Sequence, residues 1–150
     1  MNDFDFLEGK WTSKQRYLKK RLAGCDEWEE FTGTTVATRH FGGAACVDEV
    51  YFPERGTSGL TLRLYNPETE LWSIYWASSK TGVLDTVPAV GRFEGDRGEF
   101  YADEFHEGTP IICRFVWTVQ DADHCSWEQA FSTDQGKTWE VNWVADFTRA

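Results

Sequence analysis

The sequence predicts an all-β chain: a single antiparallel up-and-down β-barrel of about ten strands, preceded by a short N-terminal closing turn or helix. Three observations lead there. Apolar and polar residues alternate in runs broken by Gly, Pro, Asn or Asp about every 8 to 14 residues. Aromatic residues, which favour strands, are abundant, with eight Trp, eleven Phe and five Tyr among 150 residues. About ten runs are too many for a small sheet to leave open, and closure removes its edges.

The elements follow in order. Residues 10–19 and 27–39 read as a hairpin that folds back near Gly24 and sets Lys19, Lys20 and Arg21 beside Asp26, Glu27 and Glu29. Lys14 to Leu22 also fits an amphipathic helix through Leu18 and Leu22, but the strand reading is preferred. Residues 45–52 form the third strand. Next come Leu60-Thr61-Leu62-Arg63-Leu64-Tyr65 and Leu71-Trp72-Ser73-Ile74-Tyr75-Trp76, separated by Asn66-Pro67-Glu68-Thr69-Glu70. Pro67 presets that turn and Asn66 can cap it. Pairing across it puts Leu60, Leu62 and Leu64 on the face of Trp72, Ile74 and Trp76, with Arg63 and Tyr75 opposite.

Strands at 90–94 and 98–105 are followed by one carrying Ile111, Cys113, Phe115 and Trp117 on one face. It returns through Gln120-Asp121-Ala122-Asp123 to Trp127, Gln129 and Phe131. The last run alternates Trp139, Val141, Trp143, Ala145 and Phe147 against Glu140, Asn142 and Asp146. No repeat or linker divides residues 1–150, which are expected to form one domain.

A net charge of −10 repels a phosphate backbone, so nucleic acid is not an expected partner. The opening Met1-Asn2-Asp3-Phe4-Asp5-Phe6-Leu7-Glu8 has neither a basic n-region nor an apolar h-region, and no stretch of about 18 apolar residues occurs. A soluble cytoplasmic protein without a membrane partner is expected. Cys25, Cys46, Cys113 and Cys125 form no CxxC pair, so reduced thiols are expected, with no zinc or redox site. Three histidines, His40, His106 and His124, lack metal-ligand spacing, although His40 near a barrel mouth could ligate a haem. No P-loop, dinucleotide glycine pattern or Ser/His/Asp order occurs, and no cofactor is expected.

Two stretches resemble known motifs. Ser132-Thr133-Asp134-Gln135-Gly136-Lys137-Thr138-Trp139 resembles the Asp-box of sialidases, but it occurs once in a chain too short for a propeller and is read as hairpin chemistry. Asp5-Phe6-Leu7-Glu8-Gly9-Lys10-Trp11 resembles the lipocalin entry motif, and Arg149 is similar to the arginine that packs over its tryptophan in lipocalin-like (calycin) barrels. Through "DFDFLEGKW", "TLRLYNPETELWSIYWAS", "GRFEGDRGEFY" and "WEQAFSTDQGKTWEVNWVADFTR", nearly the whole chain resembles a bacterial calycin-type family without an assigned reaction. Relatives on that fold bind small hydrophobic molecules, bind haem, or catalyse isomerisations and cyclisations, so the resemblance implies a barrel and leaves its function open.

Burial of the aromatic face gives a cavity walled by Trp72, Trp76, Phe115, Trp117, Trp127, Phe131, Val141 and Trp143, with Gln129 as a polar anchor. Glu49 and Tyr51 join it if the third strand turns that side inward. Filled with side chains, the same face is only a core. On the opposite face Arg114 neighbours Glu128 and Asn142, with Arg63 on its own hairpin. This is a surface ion pair, or, with the polar row inside, an acid/base site. Three readings stay open: a binder of a small hydrophobic or aromatic molecule; an isomerase, cyclase or hydrolase using Glu128, Arg114, Arg63, Asn142 or Gln129; and a homodimer with a filled core, meeting through Ile112, Val116, Ala130 and Val144.

Overall fold

The structure, a computed structural model, describes residues 2–150. Its strands are β1 (Gly9–Leu18), β2 (Trp28–His40), β3 (Ala45–Phe52), β4 (Thr57–Asn66), β5 (Leu71–Ser78), β6 (Ala89–Glu94), β7 (Arg97–His106), β8 (Thr109–Asp121), β9 (His124–Ser132) and β10 (Glu140–Arg149). They close a barrel in the order β1-β10-β9-β8-β7-β6-β5-β4-β3-β2, each strand antiparallel to its neighbours. The all-β up-and-down barrel expected from the alternation is therefore present. Among the described residues, no helix is long and apolar enough to cross a membrane.

The N-terminal segment closes one end. Phe4 and Leu7, each 1% exposed, precede and end a 3-10 turn at Asp5–Leu7. The Phe4 ring meets Trp72, Phe93, Phe100 and Trp117 at centroid distances of 4.9 to 6.2 Å. Trp72 Nε1 donates to Asp3 at 2.9 Å. The Arg149 guanidinium lies 4.1 Å from the Trp11 ring centroid and donates to the Glu8 and Phe6 carbonyls at 2.8 and 2.9 Å, tying the last strand to the entry turn. Gly9 makes room for this clamp: its φ is +116°, and a Cβ there would stand 2.8 Å from Arg149 Nη1.

β1 confirms the strand reading of the N-terminal run, ending at Leu18 rather than continuing as a helix. Lys19 reaches Glu27 at 3.9 Å, whereas Arg21 turns inward, its guanidinium 4.1 Å from the Tyr17 centroid and 5.3 Å from that of Phe131. Leu22 packs with Ile111, Cys113 and Phe131, so the β1–β2 loop covers part of the end opposite Phe4.

The β4–β5 hairpin corrects an expected register. Asn66 stays in the ladder opposite Leu71, so the turn is residues 67–70, with Glu70 at a φ of 58°. Asn66 Oδ1 still accepts from the Glu68 and Thr69 N–H groups at 2.9 and 3.4 Å. Keeping Asn66 in the ladder moves the pairing by one residue, which turns β4 over while Trp72, Ile74 and Trp76 stay inside. Thr61 now pairs with Trp76 and Arg63 with Ile74 inside the barrel, while Leu60, Leu62 and Leu64 pair with Ala77, Tyr75 and Ser73 outside.

A second correction lies in β10. The register shifts between Val141 and Trp143, so Val141 pairs with outward Ala130 and Trp143 with inward Gln129. Asn142, the extra residue of this bulge, is fully buried and accepts a 2.9 Å hydrogen bond from Gln129 Nε2. Val141 therefore leaves the cavity wall and Asn142 enters the interior, the reverse of simple alternation.

The Asp-box look-alike is turn chemistry. Asp134 accepts from Thr138 N–H at 2.9 Å and Thr138 Oγ1 at 2.6 Å, and Ser132 Oγ donates to it at 2.8 Å while accepting from Gly136 N–H. Trp139 folds outward onto Arg114, 4.3 Å from its ring centroid, and Tyr101. Hydrogen bonds from Thr138 and Ser132 pull the Asp134 carboxyl down to about 2, and a depressed folded pKa adds stability above the unfolded value near 4. The stability gap between wild type and Asp134→Asn should thus be constant above about pH 5 and close as pH falls from about 4 toward 2, in chemical melts recorded across that range.

Candidate functional site

A cavity of about 110 Å³ occupies the lumen between two unlike walls. One is aromatic: Phe115 and Trp117 from β8, Trp127 from β9, Trp143 and Phe147 from β10. Their rings support one another, with Trp127 5.2 Å from Trp143 edge to face and Trp117 stacked at 5.6 Å on Phe147. Trp76 completes this wall, 6.0 Å from Trp143. Its indole lies where a side chain on Gly59 would be, a Cβ there falling 1.9 Å from Trp76 Cη2.

The facing wall comes from β2, β3 and β4, where Thr35, Asp48, Thr61 and Arg63 line the cavity among apolar Val50 and Phe52. The register explains the cluster, because Asp48 pairs with Thr61, and Arg63 stands two residues further along the same face. Arg63 Nη1 donates to Asp48 Oδ2 at 2.6 Å and lies 3.8 Å from Cys46 Sγ. Arg63 is 3% exposed and Asp48 5%. Burial disfavours the Arg63 charge, but Asp48 and Cys46 beside it more than offset that, so its pKa is raised. The guanidinium is also 5.1 Å from the Phe4 centroid and 5.3 Å from that of Trp117, which places the ion pair near the end closed by the N-terminal segment.

A third polar feature lies beside the aromatic wall. Trp143 Nε1 donates to Gln15 Oε1 at 2.8 Å and Gln15 Nε2 to Ser13 Oγ at 2.9 Å, which fixes the Trp143 indole. At the end opposite Phe4, exposed Asp85 also lines the cavity and marks its opening. Partial burial and nearby Glu104 raise the Asp85 pKa.

The sequence-derived candidates divide accordingly. Trp76, Phe115, Trp117, Trp127 and Trp143 line the cavity, Gln129 faces inward through its bond to Asn142, and Trp72 is packed at the closed end. Glu49 and Tyr51 point outward and are exposed, because β3 turns Cys46, Asp48, Val50 and Phe52 inside. Arg114 and Glu128 lie on the outer surface with Nη2 and Oε2 3.9 Å apart, so the expected pair exists but away from the lumen. Arg63, expected opposite the aromatic face, is instead the buried centre of the polar wall. Asp48, Gln15, Thr35 and Thr61 were not anticipated. A legible signal was Asp48 within Cys46-Val47-Asp48-Glu49-Val50-Tyr51-Phe52, where the more apolar face carries one acid and so requires an interior cation.

None of the histidines lines the cavity. His40 bonds to Thr38 at 2.9 Å on the exposed surface, and His124 to Asp121 at 2.9 Å. Among the described residues, no group of three or more His, Cys, Asp or Glu could hold a metal ion. Burial pushes the Cys125 thiol up to about 12 and raises those of Cys46 and Cys113, while Cys25 is only half-buried. One thiol per folded chain, that of Cys25, should react with a disulfide reagent at neutral pH, and a Cys25→Ser variant should react only on unfolding.

The barrel has a counterpart of known structure. The crystal structure of Rv2717c from M. tuberculosis is similar to this chain with a TM-score of 0.62 and 13% identity, over 100% of this chain and 98% of that one. At that identity the likeness is one of fold alone. No protein-family model matches the chain, and no curated protein does.

Proposed function

We propose that this chain is a lipocalin-like binding protein whose barrel takes one small, largely apolar molecule of single-ring size. The observation that carries this reading is the lumen: rather than filling the barrel, the aromatic residues leave a cavity of about 110 Å³ with an exposed residue, Asp85, at its opening. An apolar cavity of ~150 Å³ admits benzene, so a cavity of about 110 Å³ takes no more than one ring, and that ring only with a small outward shift of the wall. The patch expected for a homodimer is reduced, since Val116 and Ala130 are already buried within the chain.

Trp76, Trp117, Trp127 and Trp143 all line the cavity, so tryptophan fluorescence reports on its contents. Toluene titrated into the protein should change that emission saturably, at one molecule per chain. Ala145, which is 1% exposed and lines the cavity, offers the control: Ala145→Phe puts a ring where the ligand goes and should weaken toluene binding at least about tenfold, at an overpacking cost of ~1–3 kcal/mol. A response that stays linear to the solubility limit, or is unaltered in Ala145→Phe, overturns the reading.

A further inference from the structure

Accepting the small-molecule reading, the polar wall narrows the ligand's chemistry. Thr35 and Arg63 are each 3% exposed and line the cavity, yet Thr35 Oγ1 and Arg63 Nε are buried atoms without a hydrogen-bond partner. Buried polar atoms in folded proteins are nearly always satisfied, and two unpartnered ones on cavity-lining residues fit a ligand that would complete them. Both can donate, so a ligand atom that completes either of them accepts. Asp48 supplies the complementary function on the same wall: Arg63 engages its Oδ2, and the carboxylate can accept a second hydrogen bond from the ligand.

Charge then separates the candidates. The Arg63–Asp48 pair is neutral as a whole, so a carboxylate ligand would add an anion beside Asp48 without a free cation to meet it. A hydrocarbon would leave the two donors unpaired, and a ketone would use the donors but not Asp48. A hydroxyl answers both requirements on one oxygen, accepting from Arg63 Nε or Thr35 Oγ1 and donating to Asp48. The remainder of the ligand faces Trp76, Trp127 and Trp143, which suit an aromatic ring, and the volume allows no more than one.

We propose that the lumen selects a neutral single-ring phenol, its hydroxyl read by Asp48 together with Arg63 or Thr35 and its ring held by Trp76, Trp127 and Trp143. A phenolic hydroxyl stays protonated near neutral pH, so it can donate to the carboxylate.

The experiment compares phenol, toluene and benzoate with the full chain near pH 7, by calorimetry and tryptophan emission. Phenol should bind at least about tenfold tighter than toluene, because a site built for a hydroxyl rejects the analogue lacking it, and benzoate should bind weakest. The double variant Asp48→Leu/Arg63→Met removes the pair without leaving a lone charge and should keep toluene while bringing the phenol-to-toluene ratio close to one. Thr35→Val, which removes only the hydroxyl, should lower the same ratio and serves alone if the double variant does not fold. Saturable toluene binding equal to or tighter than that of phenol overturns the hydroxyl pole and leaves the cavity reading standing. Benzoate as the tightest probe overturns it in favour of an anion site. A phenol preference unchanged in the variants places the recognition elsewhere and overturns the assignment, and failure of all three probes to bind overturns both readings.

Discussion

Arg63→Ala is expected to destabilise the protein by about 3–5 kcal/mol, a large part of the ~5–15 kcal/mol that holds a domain folded. Both partners of the pair are almost fully enclosed, with the bonded atoms 2.6 Å apart. Removing the guanidinium leaves the Asp48 carboxylate without its counter-charge among apolar neighbours, and it opens a space beneath Phe4 and Trp117, both of which rest against Arg63. The penalty comes chiefly from the stranded carboxylate rather than from any large net contribution of the pair. Asp48→Leu/Arg63→Met should therefore recover most of the loss, because well-packed apolar replacements of buried ion pairs are often neutral or stabilising. Urea melts of wild type, single and double variants measure this directly. A single variant that costs less than about 1 kcal/mol would mean the pair is hydrated and Asp48 is not stranded. A double variant as unstable as the single would mean that the shape of Arg63, packed between two rings, matters more than charge.

The same pair shows where sequence reasoning stopped. Strand number, closure, the entry turn and most of the aromatic wall were legible, because each rests on alternation within a strand or on turn chemistry within a few residues. What the chain does not spell out is pairing between strands. Asn66 is a good turn residue by composition, yet it keeps its place in the ladder while its side chain caps the turn, and that single residue decides whether Arg63 or Leu62 faces the lumen. The bulge at Asn142 is equally silent, since Glu140-Val141-Asn142-Trp143 alternates without interruption and only the structure shows two consecutive residues turned inward. On β3 apolar residues occupy both faces, so the choice between Glu49 and Asp48 depended on neighbours placed by those other registers. The candidate site was thus half visible: its aromatic wall came from periodicity, and its polar wall depended on a one-residue register.

Gly91→Ala is expected to cost more than the usual ~1–3 kcal/mol of an overpacked position. Gly91 stands in β6 between Trp72 and Phe100, and a Cβ added there would fall 1.8 Å from the carbonyl oxygen of Glu99 and 2.9 Å from Phe100 Cα. Those are backbone atoms of β7, so no side chain can swing away, and β6 and β7 must part. The neighbouring seam has little to resist that movement: β5 and β6 share only three register pairs, Trp72 with Gly91, Ser73 with Val90 and Ile74 with Ala89. A glycine within a strand often marks such a close backbone approach. Gly59→Ala tests the reasoning, because its new methyl meets only the outer edge of the Trp76 indole, which can tilt into the cavity. Gly59→Ala should therefore keep a urea midpoint near wild type while shifting tryptophan emission and weakening toluene, whereas Gly91→Ala should lower the midpoint sharply and expose the β6 amides to hydrogen exchange. Equal midpoints for the two variants would mean that β6 can part from β7 at little cost. The barrel would then have its opening along the β5–β6 seam rather than at the end marked by Asp85.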